Sequence, residues 1–337
     1  MYKVLLVEAI DDAGINLLRE HFQVEIAPNP QESTIVSMIP EYDALVIRAT
    51  KLTENILAAG KKLKIVSRHG VGMDNLNIPA STAHGVILST TPGANSHSVA
   101  EHTVGAICWF LKQYGPAERL LREGKFNQAG SLTGLLTKLG FENAVLEGKT
   151  LALVGVGAIS RHVAKLCGPD GFGMNIIAYS PHVSAEQMEA LHIKKCETLE
   201  EMLPVCDVLS IHTPKRPDTV NLINRDSFAK MKPTAILINT ARGGIVNEAD
   251  LAEALKNHQI AGAALDVFDP EPPALDNPLF QLDNVLLTPH IGAATDGAMQ
   301  NMARACAQNI IDYFGGKRPG FVVNPEIYVP ISENPKA

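Results

Sequence analysis

The sequence lacks a paired-cysteine pattern, a basic excess, a long apolar run and a leader-like start. Each absence removes a class of protein. The five cysteines, Cys108, Cys167, Cys196, Cys206 and Cys306, are odd in number and include no C-x-x-C pair. They fit neither a disulfide scaffold nor a zinc site, so no metal is expected, and separate buried thiols in a reducing cytoplasm are the plain reading. Lys and Arg total 29 against 36 Asp and Glu, a formal net charge of −7. That balance argues against a nucleic-acid binder, which normally carries a basic stripe. The longest apolar runs, such as 150–157, fall far short of the roughly 20 residues that span a bilayer, so no membrane partner is expected. The start, Met1-Tyr2-Lys3-Val4-Leu5-Leu6-Val7-Glu8, has no basic segment, apolar core and small-residue cleavage site, and reads as a strand. Hydrophobic residues at 46% and charged residues at 19% exclude wholesale disorder. At 337 residues the chain is long for one core and suggests two domains.

Short β-rich runs alternate with helical patterns. Lys3–Val7 reads as a strand and Asp11–Phe22 as an Asp-capped helix, with Ile15, Leu18 and Phe22 on one face. Val24–Ala27, Ala44–Ile47 and Lys64–Ser67 follow as strands. A second series holds Leu151–Val154, Asn175–Tyr179, Val208–Ile211, Ala235–Ile238, Ala261–Asp266 and Val285–Leu287. Near-continuous apolar runs belong to parallel strands buried on both faces, so the class is α/β with doubly wound parallel sheets. Ser98–Tyr114 reads as one long helix between the two series, and Gly297–Phe314 as a tail helix returning to the first domain. The expected boundaries are 1–98 and 294–337 for one discontinuous domain and 99–293 for the other.

Leu151-Ala152-Leu153-Val154-Gly155-Val156-Gly157-Ala158-Ile159-Ser160 is a strand, a Gly-rich turn and a helix start. Gly155 permits the tight turn, and Gly157 lets the backbone approach a pyrophosphate at the N-terminus of the helix that begins with Ala158 and Ile159. The other reading of a lone G-x-G is a structural turn; its place after a buried strand favours a dinucleotide. Ser160 stands where the usual third glycine would be. About 20 residues on, an acid normally grips the adenine ribose. Here the strand ends in Tyr179-Ser180-Pro181-His182, so Ser180 replaces it. Losing the carboxylate removes the charge that repels a 2′-phosphate, yet no Arg follows to attract one. His182 and Arg161 are the nearest basic residues, and the choice between NAD and NADP stays open, with NAD the default.

Three turns follow strand ends in the second half: Asn239-Thr240-Ala241-Arg242-Gly243-Gly244, then Val267-Phe268-Asp269-Pro270-Glu271-Pro272-Pro273, then Thr288-Pro289-His290-Ile291-Gly292-Ala293. Ligands bind at the carboxyl ends of such strands. Arg242 offers a planar fork for a carboxylate, His290 can exchange a proton with a carbonyl oxygen, and Glu271 can fix the ring's orientation. With Arg48-Ala49-Thr50-Lys51, Gly70-Val71-Gly72-Met73-Asp74-Asn75 and Asn95–Glu101, these segments resemble the D-isomer-specific 2-hydroxyacid dehydrogenases over almost the whole chain. Arg48–Thr53 and Asn95–Glu101 look most like the 3-phosphoglycerate dehydrogenase branch, and the chain ends where longer members carry regulatory domains.

The resemblance implies a Rossmann-type NAD(P)-binding domain inserted into a flavodoxin-like substrate domain. It implies reversible hydride transfer between NAD(P) and a D-2-hydroxy acid, with 3-phosphoglycerate, hydroxypyruvate and glyoxylate as candidates. Arg242, Glu271 and His290 take the catalytic roles. Gly155, Gly157, Ala158, Ile159, Ser180, His212, Thr213, Thr240, Ala241, Asp266, His290, Gly292 and Ala293 take cofactor roles, Asp266 by bonding the nicotinamide amide. Arg48, Val71, Gly72, Asn95 and Arg242 take substrate roles. A buried structural Asp is the alternative at 266, and a tight turn the alternative at Gly70-Val71-Gly72. Family members are usually dimers joined through their nucleotide domains, and a homodimer is expected here, in the cytoplasm that the unpaired thiols suggest.

The segment before the nucleotide strand departs from the family. Gly124-Lys125-Phe126-Asn127-Gln128 lacks the Trp-x-Arg element, and Ser131–Asn143 looks like an insertion. The missing Arg helps phosphoglycerate dehydrogenases bind substrate phosphate. Arg48, Lys51 and Arg68 are left to form a basic pocket, or to be three solvated charges. Some relatives are nucleotide-sensing corepressors and keep the Arg, Glu and His set; the lack of basic or low-complexity extensions places that binding-module reading second.

Overall fold

The structure is a computed structural model that describes residues 1–125, 138 and 144–328. The chain divides into two compact units, Met1–His97 with Ala293–Ala337, and Ser98–Gly292.

In the first unit, β1 (Lys3–Leu6), β2 (Gln23–Ile26), β3 (Ala44–Ile47), β4 (Ile65–Arg68) and β5 (Ile87–Ser89) form a parallel sheet in the order β2-β1-β3-β4-β5. Helices α1 (Asp12–Arg19), α2 (Glu32–Met38), α3 (Glu54–Ala59) and α4 (Ile78–Ala83) lie between the strands in sequence. The division between the units falls in the first turn of α5 (Ser96–Leu111), which is followed by α6 (Tyr114–Arg122).

The second unit is built on β6 (Thr150–Val154), α7 (Ala158–Cys167), β7 (Asn175–Tyr179), α8 (Ala185–Glu189), β8 (Ile193–Cys196), β9 (Val208–Ile211), α9 (Arg225–Phe228), β10 (Ile236–Asn239), α10 (Glu248–Lys256), β11 (Gly262–Leu265) and β12 (Val285–Leu287). Its parallel sheet runs β12-β11-β10-β9-β6-β7-β8, so the winding reverses between β6 and β9. That reversal is where doubly wound sheets open a crevice at their carboxyl ends. The chain then returns to the first unit as α11 (Asp296–Phe314).

Burial explains these elements. Strands β3, β9, β10 and β11 are buried at every position, because helices cover both faces of the sheet. Successive side chains feed opposite cores: Leu209, Leu237 and Leu265 pack in one cluster, and Val208, Ile236 and Ile238 in the other. In the small sheet Val4, Leu6 and Val46 pack against Ala303, Cys306 and Ala307 of α11. Asp11 caps α1 by accepting the Ala13 N–H at 2.9 Å. Gly14 of α1 is there for close approach: a Cβ would lie 2.5 Å from the Ala303 carbonyl oxygen.

Several expectations need correction. Strands β5 and β8 are additional to those read from the pattern. β5 has three residues, and β8 is an edge strand whose Lys194 and Lys195 interrupt the apolar run while Ile193 and Cys196 are buried. Lysines on an edge discourage pairing with another chain. The helix expected over Ser98–Tyr114 stops at Leu111, and Gln113 at φ +50° precedes a new one. Pro116 gives the reason: it lacks the N–H that a continuous helix would need, and fits only in a first turn. The Ser131–Asn143 segment lies, apart from Lys138, outside the described residues. The five cysteines are all free; four are buried and Cys108 is partly exposed. Among the described residues no helix is long and apolar enough to cross a membrane.

Candidate active site

The turn after β6 is shaped by close approach. Gly155 has φ +95°, and a Cβ there would sit 2.9 Å from the His212 carbonyl oxygen at the end of β9. Gly157 is the opposite case. Its missing Cβ would meet no heavy atom within 4 Å, so the space before the first turn of α7 is open. The buried Ser160 completes the turn, accepting the Gly157 N–H at 2.7 Å and donating to the Gly157 carbonyl at 3.1 Å. An open Gly cradle before a helix N-terminus, with Ala158 and Ile159 at its start, fits a pyrophosphate. Ser180 follows β7 and is buried, while His182 and Arg161 are exposed. His212 and Thr213 are partly buried beyond β9. The His212 Nε2 lies 2.9 Å from Ser210 Oγ, and burial pushes its pKa down to about 4, so the ring is neutral at pH 7.

Arg242, Glu271 and His290 follow β10, β11 and β12, three strands adjacent in the sheet. The first turn is clipped by Asn239, whose side chain accepts the Ala241 N–H at 3.1 Å and donates to the Arg242 carbonyl at 3.0 Å. Gly243 lets this turn meet the next one: a Cβ would overlap the Phe268 carbonyl oxygen at 1.8 Å. The partly buried Arg242 donates from Nη1 to the Ala241 carbonyl at 2.7 Å. In the second turn the Asp269 N–H is held by Glu248 of α10 at 2.7 Å. Glu271 Oε1 then lies 2.6 Å from His290 Nδ1, with both side chains close to half exposed. A carboxylate only accepts, so Nδ1 carries the proton in this pair and Nε2 is the atom left to exchange one. His290 sits at φ +55°.

Asp266 is 3% exposed and underlies the third turn. Its Oδ1 accepts the Thr288 hydroxyl at 2.6 Å and the Ile291 N–H at 2.8 Å, while Oδ2 accepts the Gly292 N–H at 2.8 Å. Its present contacts are therefore those of a structural carboxylate. Thr240 is buried, with its hydroxyl 3.2 Å from that of Thr103, and Ala241 is partly buried. Ala293 falls in the first unit. Sequence reasoning did not single out Asn239, Glu248, Thr288 or His102. Asn239 and Thr288 are polar residues at strand ends, which are too common to be read, and Glu248 and His102 lie in helices α10 and α5, where one polar residue carries no signal of a contact distant in sequence.

In the first unit the expected substrate residues follow the ends of β3, β4 and β5. Arg48, Ala49 and Thr50 give their N–H groups to Glu8 at 3.0, 3.0 and 2.8 Å. Asn75 donates to the Arg48 and Thr50 carbonyls and accepts from Arg68 Nε at 3.0 Å. The Arg68 guanidinium lies over Gly70, at φ +136°, next to the exposed Val71 and the partly exposed Gly72. Lys51 is exposed. Asn95 Oδ1 is buried without a hydrogen-bond partner among the described residues.

Two doubly wound sheets, one with a Gly-rich turn at its reversal and three polar turns beside it, define a dinucleotide-binding α/β protein. The model of the D-isomer specific 2-hydroxyacid dehydrogenase NAD binding domain matches residues 104–292, and the chain belongs to that family. It is 37% identical over 316 residues to a D-3-phosphoglycerate dehydrogenase of Archaeoglobus fulgidus, an alignment covering 93% of this chain. The chain spans 58% of that relative's length. Among solved structures, a Thermus thermophilus protein superposes with TM-score 0.83 at 30% identity, covering 95% of this chain and 99% of that one. An NADPH-dependent glyoxylate/hydroxypyruvate reductase of Sinorhizobium meliloti, solved with NADP and malonate, gives 0.80 at 26% identity, covering 96% of each chain.

Proposed function

We propose that the chain is a nicotinamide-dependent dehydrogenase of D-2-hydroxy acids, working reversibly on the matching 2-oxo acids. The observation that carries the reading is the 2.6 Å pair of Glu271 and His290, one strand beyond the Arg242 turn in a sheet with a dinucleotide loop. With its pyrophosphate at the Gly155–Ser160 loop, a bound nicotinamide cofactor would supply or take the hydride at the substrate's C2. His290 Nε2 gives the carbonyl oxygen its proton during reduction and takes it back during oxidation. Glu271 holds Nδ1, so the ring presents Nε2 in one orientation. Arg242 grips the substrate carboxylate with its planar fork.

Residues 99–293 are assigned the nucleotide role, and 1–98 with 294–337 the substrate role through Arg48, Val71, Gly72 and Asn95. The guanidinium of Arg68 over Gly70 supports a second anionic group on the substrate, as in 3-phosphoglycerate, and hydroxypyruvate and glyoxylate are the smaller candidates. NAD is the default cofactor and NADP is tolerated, because Ser180 offers no charge against a 2′-phosphate. A cytoplasmic homodimer joined through the nucleotide unit completes the reading. The test is turnover of a panel of 2-oxo acids with NADH and with NADPH. Consumption of either cofactor with at least one acid supports the reading, and none with any acid overturns it.

A further inference from the structure

Three of the polar side chains on helix α5, Ser98, His102 and Thr103, each reach a different part of the turns beside the proposed active site. Ser98 Oγ donates to the Gly292 carbonyl at 2.7 Å. Thr103 Oγ1 donates to the Val99 carbonyl at 2.9 Å, so across 3.2 Å it accepts the hydroxyl of Thr240. His102 Nε2 lies 3.3 Å from Thr288 Oγ1 and 3.8 Å from Asp266 Oδ1.

Proton counting gives the last contact a direction. The Thr288 hydroxyl has one proton and gives it to Asp266 at 2.6 Å. It has none left for His102, so His102 Nε2 must be the donor. A directed chain results: His102 to Thr288, Thr288 to Asp266, and Asp266 accepting the N–H groups of Ile291 and Gly292. His290 lies inside that brace, between Thr288 and Ile291, in a left-handed backbone that a side chain rarely adopts unsupported. Gly292 lets the parts close up, since a Cβ would come within 3.0 Å of Asp266 Oδ2 and 3.7 Å of the His102 ring.

We propose that His102 is a positioning residue: through Thr288 and Asp266 it holds the turn that sets His290 against Glu271. Its consequence for turnover rests on the dehydrogenase reading; the brace itself does not. His102→Leu fills the space without a donor, and His102→Gln restores an N–H near the same place. Two readouts are taken on each variant: steady-state kinetics with the best 2-oxo acid, and amide exchange at Ile291 and Gly292. The Leu variant should lose about tenfold in kcat, with the cofactor KM changed less than about twofold, because a small misplacement of the proton donor is costly. Exchange at Ile291 and Gly292 should quicken about tenfold in that variant, while Leu209 and Leu237 in the sheet stay protected. The Gln variant should recover most of both losses. A Leu variant with wild-type kcat and exchange overturns the proposal, as does a Gln variant no better than Leu. If the Leu variant does not fold, Thr288→Val cuts the same chain from the other side and is read in the same way. A wild type that turns over no 2-oxo acid ends the dehydrogenase reading, while the exchange comparison still decides for or against the brace.

Discussion

The imidazole of His290 is useful only if one nitrogen is committed and the other is open, and the 2.6 Å contact with Glu271 makes that commitment. In the proposed function Arg242 has a different task, recognition of a carboxylate by a rigid fork. Arg242→Lys should therefore raise the KM for the 2-oxo acid about tenfold or more, with a smaller effect on kcat, because an ammonium cannot reproduce two parallel bonds. In the same reading Ser180 sets the choice of cofactor. Ser180→Asp should reduce kcat/KM with NADPH by about tenfold or more while leaving NADH nearly unchanged, through repulsion of the 2′-phosphate. If wild type already rejects NADPH by more than about 10³-fold, roughly 4 kcal/mol, the reading of Ser180 fails.

At the scale of elements, Gly14→Ala is the sharpest test of packing. Its Cβ would meet the backbone of Ala303, which cannot rotate away, so α1 and α11 must separate. A loss of about 1–3 kcal/mol in urea unfolding is expected; no loss would mean the helices are less tightly seated. Uniformly buried strands such as β9 and β10 were readable as apolar runs. The exposed edge strand β2 was read as well, while β5, buried throughout but only three residues long, was missed. β8 was not readable, because an edge position lets lysines into the run. The interruption between α5 and α6 was hidden because a helical pattern does not reveal a restart before Pro116. In the proposed site, the placement of Arg242, Glu271 and His290 after β10, β11 and β12 was legible because each follows a recognisable strand end. Asp266 was singled out as an acid at a strand end; its hydrogen bonds from the backbone N–H groups of Ile291 and Gly292 were not legible, because backbone partners leave no mark in sequence.

For the whole molecule, acid should be the weak direction. Burial holds the folded-state pKa of His212 at about 4 and depresses that of His69 below the usual value near 6.5. The unfolded chain therefore binds protons that the folded chain refuses, so stability is full above about pH 6.5 and falls as the pH drops toward 4. His212 alone accounts for about 3 kcal/mol across that window. Urea midpoints should fall from pH 7 to pH 5, and His212→Asn should flatten part of the fall; an unchanged slope would count against it. Assembly is a second property at this scale. Trp109, Phe110 and Leu111 line a cavity of about 540 Å³ near the amino ends of β10 and β11, with Arg119, Lys149 and Asp283 also in its wall. Light scattering at micromolar concentration should give a dimer mass, and a monomer would contradict the proposed pairing.

The central claim is that His290 moves the proton while hydride is exchanged at C2 of a 2-oxo acid. The most direct measurement follows nicotinamide absorbance in a single turnover of wild type and His290→Ala with the best acid of the panel. The account predicts a rate about 10²-fold lower in the variant, with cofactor binding retained. Equal rates in the two proteins would contradict it.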